Sequence, residues 1–133
     1  MLADAPFNGL THEIIAAAIE VHRTLGPGLL ESTYMPCLRY ELSARQLRFE
    51  AERRVPIVYK HVPLDVSYRV DLIVEGIVLV EVKTVATLLS VHEAQTLTYM
   101  ALTGCPAGLL INFNVARLTE GVKRLLNPRG MRN

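Results

Sequence analysis

A chain of 133 residues and 14.8 kDa can build one substantial core but is shorter than two average domains require, so one domain over 1–133 is expected, with a flexible tail from about 127. Hydrophobic residues at 50% and charged residues at 20% exclude a disordered chain. A formal net charge of +1 excludes a global field for polyanions, although Arg117, Lys123, Arg124, Arg129 and Arg132 face only Glu120 from position 117 onward. Cys37 and Cys105 match neither a CxxC pair nor a zinc site and read as two buried thiols. The first residues lack the basic segment and apolar run of a signal peptide, and the apolar stretches are too short to cross a bilayer. A cytoplasmic protein with no membrane partner is expected.

Thr11 can cap a first helix running to about Leu25, with Ile14, Ile15, Ala18, Ile19 and Val21 as its apolar stripe. Gly26-Pro27-Gly28 then makes a rigid corner. A second helix is expected from Leu29 or Leu30 to about Ala44, with Leu30, Tyr34, Cys37, Leu38, Glu41 and Leu42 at helical spacings. Pro36 lacks the N–H that would bond to Ser32, so this helix should begin near Pro36 or bend there.

Arg48 to Tyr59 reads as an edge-like strand interrupted at Pro56, Lys60 to Pro63 as its turn, and Leu64 to Val74 as a second strand. Leu64, Val66, Tyr68 and Val70 alternate with Asp65, Ser67 and Arg69, which predicts one solvated face. Gly76 marks the next turn and Ile77 to Thr84 a third strand. A third helix covers Val91 to Thr103, capped by Ser90 with Glu93 in a capping box and stopped by Gly104 and Pro106. The apolar run Ala107 to Phe113 suits a strand covered on both faces, and Leu118 to Leu126 suits a final short helix. The resulting order, ααβββαβα, predicts an α/β fold with a mixed sheet flanked by helices, the third helix bringing the fourth strand in parallel.

Chemistry concentrates in the hairpin around Gly76. Asp71 lies ten residues before Glu81-Val82-Lys83, among Val70, Leu72, Ile73, Val74, Val78, Leu79 and Val80. Bare carboxylates are costly to bury there, and a metal ion or Lys83 could offset the cost. The bland alternative leaves Asp71 and Glu81 in solvent, with Lys83 an ordinary edge-strand lysine. Register separates the two. A two-residue loop, Glu75-Gly76, would set Asp71 and Glu81 on opposite faces, so a shared site needs a three-residue loop, Glu75-Gly76-Ile77, or a bulge. Glu81 and Lys83, two apart on one strand, share a face in either case.

An acidic residue, a hairpin and Glu-x-Lys resemble the active-site pattern of the PD-(D/E)XK nucleases. Gly28-Leu29-Leu30-Glu31-Ser32-Thr33-Tyr34 further resembles the signature of the GxxExxY proteins, a small family in that superfamily, as do Val21 to Gly28 and His92-Glu93-Ala94-Gln95. The resemblance spans roughly residues 10 to 126 and implies a restriction-endonuclease-like fold. Val70 stands where the superfamily's label has a proline, and Met35-Pro36 interrupt a helix that the family usually continues. The resemblance implies Asp71, Glu81, the Val82 carbonyl and Glu31 as ligands of Mg²⁺ or Mn²⁺. It implies Lys83 at the scissile phosphate or the attacking water, and Gln95 and Tyr99 bracing the lysine or touching the DNA backbone. Hard oxygen donors suit such ions, and a lysine suits the charge that builds on phosphorus.

Each role has a plainer counterpart. Glu31 can pair within its own helix, Gln95 and Tyr99 can pack against the sheet, and His22 reads as a packed or hydrogen-bonded helix residue. No Walker loop or dinucleotide fingerprint occurs, so no small-molecule cofactor is expected. The leading reading is a metal-dependent phosphodiesterase acting on DNA. An RNA-cleaving enzyme would share the same metal site. The alternative is a nucleic-acid-binding or structural module that keeps the scaffold without turnover, where a homodimer would widen the contact surface.

Overall fold

A computed structural model describes residues 7–127; the expected tail, with Arg129 and Arg132, lies outside them. Two helices, α1 (Asn8–Leu25) and α2 (Glu31–Ala44), precede three strands, β1 (Phe49–Tyr59), β2 (Val62–Val74) and β3 (Val78–Lys83). Helix α3 (Ser90–Thr103) leads to β4 (Ala107–Asn112), and a 3-10 turn (Leu118–Gly121) leads to β5 (Val122–Leu126). The five strands form one sheet in the order β1-β2-β3-β4-β5. Only β3 and β4 are parallel, as expected for strands joined through α3. The α/β, restriction-endonuclease-like architecture is therefore present.

Both faces of the sheet's centre are covered. Val78, Val80 and Val82 pack with Leu109, Ile111 and Leu72 under Ile14, Ala18, Tyr34 and Leu38 of α1 and α2. Leu79 and Ile73 instead join Tyr99 and Met100 of α3 on the other face. Period-two alternation in β3 thus feeds two cores, which is why β3 and β4 read as unbroken apolar runs. Gly108 is a packing position: a Cβ there would lie 2.5 Å from Met100 Sδ, so glycine lets α3 approach β4.

Several boundaries differ from the sequence reading. Helix α1 begins at Asn8, and buried Thr11 donates its hydroxyl to the Asn8 carbonyl at 3.0 Å from within the first turn instead of capping the helix. Helix α2 begins at Glu31 and runs through Pro36. Ser32 and Pro36 are both exposed, so water can serve the carbonyl that proline leaves unpaired. The cap of α3 is Leu89, whose N–H donates to His92 Nδ1 at 2.9 Å, while Glu93 pairs with Lys123 of β5 at 3.2 Å. Cys105 is buried as expected, and Cys37 is half-buried.

The largest correction is the last element, a 3-10 turn and strand where a helix was expected. Two features account for it. The outer edge of β4 carries ladder groups that need a partner, and β5 supplies it from Ala107↔Leu126 to Ile111↔Val122. Gly121 comes so close to the Asn112 backbone that a Cβ would meet its carbonyl oxygen at 2.2 Å. Tertiary pairing overrides the helical preference of Lys123, Arg124 and Leu125.

A paired-carboxylate site where two strands separate

The hairpin has odd parity. Val74, Ile73 and Leu72 pair with Val78, Leu79 and Val80, leaving Glu75-Gly76-Ile77 as a three-residue loop. Glu75 and Gly76 both take positive φ (54° and 69°), and the Ile77 N–H donates to the Val74 carbonyl at 3.0 Å. One step beyond Leu72↔Val80, this register sets Asp71 opposite Glu81.

The ladder stops there, and side chains take over from backbone. The Asp71 N–H donates to Glu81 Oε2 at 2.9 Å, and the Val82 N–H donates to Asp71 Oδ2 at 2.8 Å. Strands that diverge inside a protein leave N–H groups that must find acceptors. Here each carboxylate serves the opposite strand and commits one oxygen in doing so. Glu81 is 4% exposed.

Burial dominates the electrostatics of this pair. It pushes the Glu81 carboxyl up to about 8, with the neighbouring charge of Asp71 adding to the effect. Asp71 is likewise raised by burial, opposed by the Val82 N–H and by Lys83. Two acids share this niche with Lys83, and the charge of Arg69 also reaches Asp71. The hard oxygen donors fit a divalent cation such as Mg²⁺ or Mn²⁺. Among the described residues no three His, Cys, Asp or Glu side chains converge closely enough to hold a metal unaided. The carboxylates brought together are those of Asp71 and Glu81.

Lys83 shares its face with Glu81, as two-residue spacing requires, and points toward α3. Its Nζ donates to Gln95 Oε1 at 3.2 Å. Gln95 also hydrogen-bonds buried Tyr99, whose hydroxyl is raised by burial and by the nearby Glu81 charge. Tyr99 meets the Tyr68 ring at 5.8 Å. One helical turn on α3 thus fixes the lysine from behind.

Glu31 enters from the other side, in the first turn of α2. Its carboxyl is raised first by burial and then by Asp71, and lowered by Lys83, so it lies within the field of the site. The rest of its motif is structural. Tyr34 stacks on Phe113 with centroids 4.5 Å apart, donates its hydroxyl to the Gly26 carbonyl at 2.5 Å and accepts the Leu29 N–H at 3.2 Å. Gly26 and Gly28 adopt φ of 74° and 95° in the corner so held. Gly28 and Tyr34 therefore aim the helix start that carries Glu31.

Asn112 escaped the sequence reading. Buried at the end of β4, it donates to the Val85 carbonyl (2.9 Å) and accepts the Val85 N–H (3.1 Å), tying down the chain just after Lys83. A lone amide ending an apolar run was the available signal. His22 donates Nε2–H to the Val115 carbonyl at 2.8 Å and is a packed helix residue.

A family model for the PD-(D/E)XK nuclease superfamily matches residues 8–125. The chain belongs to that superfamily. Neither the curated proteins nor the solved structures give a match. Nucleases of the PD-(D/E)XK superfamily generally use divalent metal ions and act on nucleic acid. The match covers α1 through the greater part of β5, so it includes Glu31, Asp71, Glu81, Lys83, Gln95 and Tyr99. No helix among the described residues is long and apolar enough to cross a membrane.

Proposed function

We propose that the protein is a metal-dependent DNA phosphodiesterase of the GxxExxY branch of the PD-(D/E)XK superfamily. The observation that carries this reading is the pairing of Asp71 with Glu81 across a hairpin of odd parity, beside a lysine held by α3. Asp71, Glu81 and the Val82 carbonyl would hold Mg²⁺ or Mn²⁺, with Glu31 contributing through water. When bound, the ion supplies Lewis-acid polarisation of a phosphoryl oxygen and a more acidic water.

The chain's own residues do the rest. Lys83 places positive charge where the transition state gathers negative charge, and Gln95 keeps its ammonium group from swinging into solvent. Glu81 must give up its proton to serve as a ligand, because burial holds it protonated at neutral pH. Glu31, whose carboxyl is raised by burial and by Asp71, would orient water or accept a proton through it. Nothing in this arrangement reads bases, so backbone recognition without sequence preference is expected.

A second reading has its own observation. Both carboxylates already satisfy backbone N–H groups, which a scaffold retained without turnover would also require. Incubating the protein with single-stranded, duplex and branched DNA in Mg²⁺ or Mn²⁺ separates the two. The nuclease reading expects cleavage that EDTA abolishes and that Glu81→Ala and Lys83→Ala strongly slow. Products indifferent to metal and to both substitutions rule it out, and calorimetry showing DNA binding without Mn²⁺ binding would favour the inactive module.

A further inference from the structure

We propose that Arg39, Arg54 and Arg69 form a phosphate-binding track beside Asp71, on which the DNA backbone lies outside the carboxylate pair, and that Glu52 occupies this track in the free protein. The inference rests on the nuclease reading for the identity of its ligand. Its geometry is independent of that reading.

Arg54 and Arg69 are cross-strand partners in the β1–β2 ribbon. Directly opposed residues hold their Cβ atoms about 4.5–5.5 Å apart, where like charges repel. Among the described residues, the Arg54 side chain reaches only Ser67 Oγ, at 3.5 Å. Glu52 Oε1 lies 3.2 Å from Arg69 and its Oε2 lies 3.7 Å from Arg39 of α2. Two guanidiniums therefore share one carboxylate and Arg54, opposite one of them, has none, leaving a local positive excess that the overall charge of +1 conceals.

The position of this patch is fixed by the ribbon. Ala51↔Leu72 and Arg53↔Val70 set Glu52 opposite Asp71, and Arg69 is two residues from Asp71, about 7 Å along the strand. Glu52 takes a φ of 56°, a conformation that a residue with a Cβ adopts reluctantly. Both strands change faces at this point. Ala51 and Leu72 pack under α1 and α2, whereas Val55 and Val70 pack with α3. The turnover sends Arg69 toward Arg39 on the α2 side and Tyr68 toward Tyr99 on the α3 side. Guanidinium forks match phosphate oxygens in two-point hydrogen bonds, so incoming phosphates replace Glu52 with more acceptors and more charge. Exposed Asp65, farther out on the ribbon, sets the outer limit of the track.

The test uses the whole protein in EDTA with a fluorescein-labelled DNA duplex, followed by anisotropy over a salt series. Arg54→Ala and Arg69→Ala should each reduce the slope of log K against log salt by about 1. Glu52→Gln should tighten binding about 2- to 5-fold by freeing its arginines from surface ion pairs. Arg23→Ala, on α1 and paired with Glu20, should leave the slope unchanged. Arg54→Gln and Arg69→Gln, which keep polar side chains of moderate length, should repeat the alanine result. Unchanged slopes, an equal loss in Arg23→Ala, an effect confined to the alanine variants, or no DNA binding at all each overturn the track. Arginine-dependent binding without metal-dependent cleavage leaves the track standing and removes the nuclease reading. Cleavage dependent on Lys83 with binding indifferent to Arg54 and Arg69 does the reverse.

Discussion

The two halves of β2 follow one alternating pattern and live in different surroundings. From Leu72 to Val74 the strand has neighbours on both sides and is buried on both faces; from Val62 to Arg69 it pairs only with β1 and every residue is exposed. Asp71 stands at the junction, where β3 leaves. The site thus lies where a sheet loses a neighbour, because that is where backbone donors come free inside a protein and acidic side chains can be held by them without full solvation. The buried half supplies rigidity, and the exposed half supplies access.

The largest contrast between these halves should be in catalysis. Glu81→Ala and Lys83→Ala, at the inner margin, should each cost about 100- to 1,000-fold in cleavage rate, measured by single-turnover assays with far-UV circular dichroism as a check on folding. An unchanged rate would move the chemistry out of the junction.

Stability should show the contrast next. Leu72→Ala removes a fully buried side chain and should cost about 2–5 kcal/mol in urea unfolding. Leu64→Ala, on the exposed ribbon, should stay within about 0.5 kcal/mol. Comparable losses at both positions would mean that the ribbon is covered in solution.

The junction also predicts a pH dependence. Glu81 is raised from 4.5 to about 8 in the folded chain. The folded state therefore binds the proton more tightly than the unfolded state, so its contribution is fully present below 4.5 and is lost as pH rises through about 8. Metal-free protein should lose stability across that window, by a few kcal/mol at most. Glu81→Gln should flatten the slope, and Mn²⁺ binding should release a proton near neutral pH, detectable by calorimetry in buffers of different ionisation enthalpy. A profile with no slope between these limits would show that Glu81 is charged throughout.

A more modest loss is expected behind the junction. Tyr34→Phe keeps the stack on Phe113 and loses the hydroxyl's two bonds to the corner, costing about 1–2 kcal/mol. If the corner serves to aim Glu31, metal affinity should fall as well. A change in stability alone would confine Tyr34 to packing.

Much of this was legible in the chain. The apolar runs of β3 and β4 encode strands covered on both faces, and a meeting of Asp71 with Glu81 requires an odd hairpin by register alone. Short-range rules were less dependable at the ends of elements. Ser90 looked like a better cap than Leu89, but the ring nitrogen of His92 satisfied the donor instead. Lys123-Arg124-Leu125 carried helical preference, but the open edge of β4 claimed them as a strand.

What the sequence determined by itself was therefore the set of groups and their spacing: two acids ten residues apart, a lysine two further on, and a Gln-Tyr pair one helical turn apart. Periodicity encodes such local relations because the backbone repeats every two or 3.6 residues. Tertiary structure alone decided that the carboxylates would serve each other's strands, that Glu52 would bend β1 through a left-handed φ, and that Arg39 and Arg69, distant in sequence, would meet at one glutamate. Those outcomes depend on where strands part and which faces meet, and burial sets their energies only once the sheet exists.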